Sequence, residues 1–134
     1  MAGVPVLFID RGLGRRILAD ALRSKGERVE VHDDHFDQSA KDVDWLPVVS
    51  GKGWIVLTKD EALARNAAER LAIKQSKARI FLLAHGSASG PVMVEAFTKA
   101  LASMKAFAES HDGPFIAKVY KDGSVIGWKW EHDL

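Results

Sequence analysis

The chain has 134 residues, of which 47% are hydrophobic and 28% charged, which are ordinary values for a globular protein. Its 19 Lys and Arg balance 18 Asp and Glu, and the net charge of +1 excludes a polycationic coat or an acidic tail. The chain contains no cysteine, so disulfides and thiolate metal sites are excluded. We expect one domain over residues 1–134. The first ten residues lack a basic leader and a long apolar run, so we also expect a cytoplasmic protein with no membrane contact.

Four short apolar runs predict the strands of a sheet. The runs at 6–9 and 54–57 are apolar without alternation, and so is the segment 79–84 after its first residue, Arg79, which predicts strands buried on both faces of a parallel sheet. The run at 28–32 alternates polar and apolar residues, which predicts a strand nearer an edge.

Helical periodicity separates these runs. Helices are predicted over 13–25, 42–51, 61–76 and from 91 to about 110. We expect Asp42 to cap the second helix, and we expect the apolar residues of each helix to face the sheet. In the second helix these are Trp45, Leu46 and Val49; in the last they are Val94, Phe97, Leu101, Met104 and Ala108.

Two further strands, 115–120 and 125–130, flank Lys121-Asp122-Gly123 and predict a hairpin. It either extends the sheet antiparallel at one edge or forms an added module. Trp128 and Trp130 alternate with Lys129, so we expect them on one face, packed against the sheet rather than stacked on bases. The predicted fold class is α/β, a three-layer α/β/α arrangement with a mostly parallel sheet. Its core covers about 4–112 and its C-terminal β-hairpin about 114–131.

Acidic residues follow the predicted strands where ligands bind in open parallel sheets, beyond the carboxyl ends of the strands. Asp10 follows the first strand and Thr58-Lys59-Asp60 follows the third. If the first strand lies between the second and third, Asp10 and Asp60 face each other across the point where the strand order reverses. Asp42 opens a helix from the same edge.

The segment 33–44 adds to this acidic character because it holds five aspartates and one lysine. Two carboxylates about 4 Å apart repel by about 4 kcal/mol at an effective dielectric near 20, so a proton or a cation must neutralise a converging set. Oxygen ligands suit Mg²⁺ or Mn²⁺. The residues therefore indicate a metal-dependent hydrolase of phosphodiesters. Two alternatives are aspartates that only cap helices and a receiver-like signalling domain, which requires an acidic pair where this chain has Asp10 alone.

The same residues resemble the PIN domain superfamily, specifically the PIN-like proteins grouped with VapC-type toxins. The stretch 7–14, Leu-Phe-Ile-Asp-Arg-Gly-Leu-Gly, resembles the family's first strand and first acid. Three features resemble the family's second signature. An aspartate at 42 opens a helix, a glycine at 53 precedes a hydrophobic strand, and Thr-x-Asp at 58–60 ends that strand. The similarity covers roughly residues 5–85.

The resemblance implies a Mg²⁺- or Mn²⁺-dependent endoribonuclease, the toxin of a type II toxin–antitoxin pair, with RNA as substrate and an antitoxin protein and a homodimer as partners. Asp10, Asp42 and Asp60 correspond to the first, third and fourth acids, the catalytic and metal-binding residues. The second acid, usually a glutamate on a middle helix, has no clean match; Asp34 or Asp37 are substitutes for it, and Asp34 and Asp44 are further candidate metal ligands. The candidate substrate-binding residues are Arg11, Arg15, Thr58 and Lys59. The remaining alternative is a catalytically weakened PIN-like interaction module.

Overall fold

A six-stranded sheet forms the middle layer of the molecule, which a computed structural model describes over residues 5–14, 16–86 and 88–134. The strand order is β2-β1-β3-β4-β5-β6, and every pair is parallel except β5 with β6. The first strand lies between the second and third, which is the arrangement required for Asp10 and Asp60 to face each other. The strands are β1 (Val6–Ile9), β2 (Arg28–Val31), β3 (Ile55–Thr58), β4 (Arg79–Leu83), β5 (Phe115–Val119) and β6 (Val125–Lys129).

Helices cover both faces of this sheet, as the predicted three-layer α/β/α class requires. Helices α1 (Ile17–Ser24) and α4 (Gly90–Ser110) pack on one face, and α2 (Asp42–Gly51) and α3 (Ala67–Ser76) pack on the other. The apolar residues of the strands divide between two cores, with Leu7 and Ile9 on the α1/α4 side and Phe8 on the α2/α3 side. No helix among the described residues is both long and apolar enough to cross a membrane.

The hairpin continues the sheet, because β5 pairs in parallel with β4 and β6 closes the edge antiparallel to β5. Trp128 and Trp130 do not share a face, contrary to the sequence prediction. A register shift opposite Ile116 and Ala117 inserts one extra residue into β6, which reverses the alternation. Trp130 therefore packs with the α1/α4 core, and Trp128 packs with the α2/α3 core.

Three helix predictions need correction at their ends. The predicted helix 13–25 is α-helical only over Ile17–Ser24, and a separate 3-10 turn, Arg11–Leu13, precedes it. The segment 61–76 is likewise divided into a 3-10 turn, Glu61–Ala64, and α3. Lys41, not Asp42, occupies the N-cap of α2, and the Asp42 carboxylate instead accepts a hydrogen bond of 2.9 Å from the Trp45 indole.

The predicted apolar stripe of α4 packs against the sheet. Phe97 and Met104 are fully buried, and Val94, Leu101 and Ala108 are partly buried against the same core. The stripe therefore stabilises the fold and is not a free surface for a partner.

Candidate active site

A groove of about 690 Å³ lies at the carboxyl ends of the central strands, where the strand order reverses. Asp10 follows β1, Asp60 follows β3 and Asp42 opens α2, so three chain-distant carboxylates line one groove. His32, at the end of β2, forms part of the wall. The topology thus brings together the three acids for which the sequence predicts catalytic roles.

Thr58 holds the first and last of these acids in place. Its hydroxyl donates a hydrogen bond of 2.7 Å to Oδ2 of Asp10 and accepts one of 3.1 Å from the backbone N–H of Asp60. Thr58 is fully buried and Asp10 is 8% exposed. Oδ1 of Asp60 accepts a hydrogen bond of 2.9 Å from the Ala62 N–H, so this side chain also caps the following turn.

Replacing Thr58 by valine should destabilise the protein by about 2–3 kcal/mol, because it removes the donor to a buried carboxylate and the acceptor for a backbone N–H. Urea denaturation at pH 7 measures the change. Thr98→Val is the matched control, since the Thr98 hydroxyl bonds only to carbonyls within its own helix at 2.7 and 3.0 Å. An equal loss of stability in both variants would contradict the role given to Thr58.

The electrostatics of the groove show that its carboxylates are crowded. Burial is the largest cause of a raised pKa at Asp10, and the charge of Asp42 adds to it, against the hydrogen bond from Thr58. Burial also raises the pKa of Asp42, with the charge of Asp60 adding to the effect and the Trp45 hydrogen bond opposing it. In both cases the ionised form is costly.

A fourth carboxylate, Glu69 on α3, belongs to the same cluster. Burial and then the charges of Asp42, Asp60 and Asp10 raise its pKa from 4.5 to about 7. The Asp42 and Glu69 carboxyl groups lie within hydrogen-bond reach of each other when one of them carries a proton. Oε2 of Glu69 is buried and has no hydrogen-bond donor among the residues that the structure describes.

Sequence reasoning missed Glu69 because it treated 61–76 as one continuous helix. The structure starts α3 at Ala67, with the Asn66 side chain accepting from the Glu69 N–H at 3.1 Å. The pattern Asn-x-x-Glu at 66–69 is typical of a helix start, and it is the sequence signal that could have identified Glu69. It places Glu69 in the first turn of α3, at the end of the helix nearest the groove.

Two other groove residues were also not predicted. His32 is 2% exposed, and its Nδ1 lies 3.3 Å from Oδ1 of Asp33. Its ring packs against Phe36 and Trp45, with centroids 5.5 and 5.7 Å away. Arg65, which follows the Glu61–Ala64 turn, adds a cation to the rim.

The candidate substrate-binding residues do not all lie in the groove. Arg11 and Lys59 line the groove, and Nη2 of Arg11 donates to Oε1 of Gln38 at 3.2 Å while its Nε lies 3.6 Å from Asp33. Thr58 is buried beneath the groove, where it orients Asp10. Arg15 lies outside the described residues.

The remaining acidic candidates are not brought into the groove. Asp34 is exposed and faces a separate surface groove with Arg16, Asp20 and Arg23. Asp44 is exposed on α2 and is not among the groove residues. Asp37 caps its own turn through Ser39, with hydrogen bonds of 2.7 and 2.8 Å.

Whether the groove suits a divalent ion depends on the donor atoms that it offers. Within the described ranges, no three His, Asp or Glu side chains are arranged as the ligands of one ion. The donor set nevertheless suits a hard cation, because it consists of carboxylate oxygens. The pKa values of Asp10, Asp42 and Glu69 are raised, and a buried Glu69 oxygen has no donor among the described residues. Within the same ranges, none of the four acids forms an ion pair with Lys or Arg.

The sheet order and the acidic groove together define a PIN-like protein, and comparison with known families agrees. The family described as "PIN like domain" matches residues 5–85, so the chain belongs to the PIN-like domain family. A protein of Mycobacterium tuberculosis named "Putative ribonuclease VapC45" is 30% identical over 124 residues, covering 90% of this chain and 89% of that protein. The predicted resemblance to VapC-type PIN domains is confirmed. No solved structure matches the chain significantly.

Proposed function

We propose that the chain is a Mg²⁺- or Mn²⁺-dependent endoribonuclease and the toxin of a type II toxin–antitoxin pair in the cytoplasm. The observation that carries this proposal is a set of mutually repelling carboxylates: Asp10, Asp42 and Asp60 line one groove, and Glu69 interacts with all three. Such an arrangement is unfavourable by itself and becomes favourable when a cation binds. The name of the VapC45 relative supports RNA as the substrate.

Each group in the groove has a part in this proposal. Asp10, Asp42, Asp60 and Glu69 would hold one or two divalent ions, which when bound would lower the pKa of water and neutralise charge on the phosphate. Thr58 fixes the rotamer of Asp10. Arg11, Lys59 and Arg65 at the rim would bind the RNA backbone and orient the phosphodiester.

Glu69 is our candidate for the acid without a clean match in the sequence. It lies on a helix in the middle of the chain and interacts with each of the other three acids. Asp34 and Asp44, by contrast, have no contact with the groove that would support a role as ligands.

The proposed partners are the RNA substrate, an antitoxin protein and a second copy of the chain. Their support is the chain's membership of the VapC-type group together with 30% identity to the VapC45 relative. The receiver-like alternative is not retained, because the chain belongs to a different family.

A second candidate is a PIN-like interaction module that binds a partner without cutting RNA. The observation that favours it is that, in the described part of the chain, no three acidic or histidine side chains form a common ligand set. Metal binding separates the two candidates, because only the nuclease requires the acids to converge on an ion.

Removal of divalent metal should abolish RNA cleavage. Wild-type protein is incubated with a mixed pool of single-stranded RNA in Mg²⁺ or Mn²⁺, and products are resolved on a denaturing gel. We expect cleavage with metal, loss of cleavage in EDTA and recovery when metal is restored, because the groove acids have no described cationic partner. Cleavage that persists in EDTA would contradict the mechanism, and no cleavage with any metal would favour the interaction module.

A further inference from the structure

A second groove, of about 750 Å³, lies at the opposite end of the sheet, at the amino ends of β1–β4. Its charge is opposite to that of the acidic groove. Four of its lining residues are cationic and one is acidic: Arg28, Lys52, Arg79, Lys105 and Glu109. We call it the basic groove.

The topology explains why these cations meet. Arg28 is the first residue of β2 and Arg79 the first of β4, so the parallel strands place both at one edge. Lys52 follows the end of α2, which runs down to the same edge, and Lys105 comes from the last part of α4.

The basic groove keeps positive charge that the protein does not neutralise. Lys105 is paired with Glu27 at 3.0 Å, and Arg79 donates to the Gly53 carbonyl at 2.8 Å. Arg28 and Lys52 are exposed and form no ion pair with any described residue. A ligand with one or two negative charges would complete the set.

An aromatic ring lies beside these free cations. Trp54 lines the basic groove, and the Lys52 ammonium lies 4.7 Å from its ring centroid. Phe8 supports the ring in a stacked arrangement at 5.9 Å, and His35 meets it edge-on at 5.2 Å. A planar base can stack on the indole in place of the Lys52 ammonium, which is then free to join the guanidinium groups on the phosphate oxygens.

We propose that the basic groove binds a nucleotide unit, with the phosphate on Arg28, Lys52 and Arg79 and the base against Trp54. A free nucleotide and one unit of a single-stranded RNA present the same chemistry. The acidic and basic grooves lie at opposite ends of strands that are four or five residues long, about 13–17 Å, so an RNA that reaches both must pass over the outer surface of the molecule. This binding site extends the proposed function and rests on it only because the bound strand is taken to be RNA.

The test measures binding apart from cleavage, so that failure of the nuclease proposal leaves its result intact. Protein carrying Asp10→Asn is titrated in EDTA into a fluorescein-labelled ten-nucleotide single-stranded RNA, and in parallel with adenosine monophosphate. Two exposed cations are reversed in Arg28→Glu/Lys52→Glu. The control, Lys74→Glu/Lys121→Glu, changes net charge equally at two exposed lysines outside the basic groove.

We expect Arg28→Glu/Lys52→Glu to weaken RNA binding at least about tenfold. The slope of log K against the logarithm of salt concentration should become shallower by about 1.4, because two phosphate contacts are lost. The control should change affinity less than about twofold. Binding of the RNA alone identifies a strand as the ligand, and binding of the monophosphate as well identifies a single nucleotide as sufficient. A base that stacks on Trp54 should quench tryptophan fluorescence. Trp54→Phe, which keeps an aromatic ring on Phe8, should remove this quenching.

Equal weakening in both double variants, or no weakening in either, would overturn the proposal. The proposal would also be overturned if the protein bound polyglutamate but neither RNA nor nucleotide, and if Arg28→Glu/Lys52→Glu weakened that binding. This result would identify an acidic peptide as the ligand. Thermal melting checks folding, and Arg28→Gln/Lys52→Gln repeats the test without introducing acidic groups. Unchanged RNA affinity in that variant counts against the proposal in the same way.

Discussion

Asp10→Asn should reduce RNA cleavage by at least about 100-fold while making the folded protein more stable at pH 8. The activity falls because asparagine removes a negative charge from the proposed metal-binding set. The stability rises because burial and Asp42 raise the pKa of Asp10, so the ionised carboxylate is costly in the folded state. Asparagine still offers an oxygen to the Thr58 hydroxyl, which donates at 2.7 Å to Asp10.

The opposite directions of these two effects make the prediction specific. A general folding defect lowers both activity and melting temperature, whereas loss of a functional charge lowers activity alone. Asp20→Asn is the isosteric control, because Asp20 is exposed on α1 and lies outside the acidic groove. Cleavage rates and melting temperatures are compared at pH 8. Activity near that of the wild type in Asp10→Asn would refute the assignment of Asp10.

The layout of the sheet could be predicted because its strands carry a strong local signal. Val6–Ile9 is apolar at every position, and such a run is typical of a strand covered on both faces. Once the first strand lies between the second and third, chain connectivity alone places Asp10 and Asp60 at one edge. Family membership then follows from the ordered acids, and the comparison confirms it.

The rest of the site depends on contacts that local pattern does not contain. Glu69 reaches the acids because α3 starts after Asn66, and its raised pKa reflects its burial and then the charges of three other carboxylates. The same limit applies to the hairpin, where one extra residue in β6 sends Trp128 and Trp130 to opposite faces. A bulge is set by pairing with the neighbouring strand, and the alternation of β6 read alone does not reveal it.

Glu69→Gln should lower RNA cleavage about tenfold or more, because it removes one of four carboxylates from the proposed ion-binding set. The residual activity should need more Mn²⁺ for half-maximal rate, which distinguishes a ligand from a residue that only supports the fold. Glu61→Gln is a close control, since Glu61 lines the groove in the turn before α3 and is not one of the four proposed ligands. An unchanged Mn²⁺ requirement in Glu69→Gln would remove Glu69 from the set.

The same substitution should change how stability depends on pH. In the wild type the folded-state pKa of Glu69 is about 7, against 4.5 in the unfolded chain, so the folded state holds a proton that the unfolded state has lost between these values. The free energy of unfolding therefore falls as pH rises from 4.5 to 7 and levels off above. Glutamine cannot ionise, so Glu69→Gln should match the wild type near pH 4 and exceed it at pH 8. Because Glu69 is only partly buried, solvent screening limits the gain to on the order of 1 kcal/mol. Urea denaturation in EDTA across this pH range measures it, and parallel curves for the two proteins would show that Glu69 is not held in the cluster of acids.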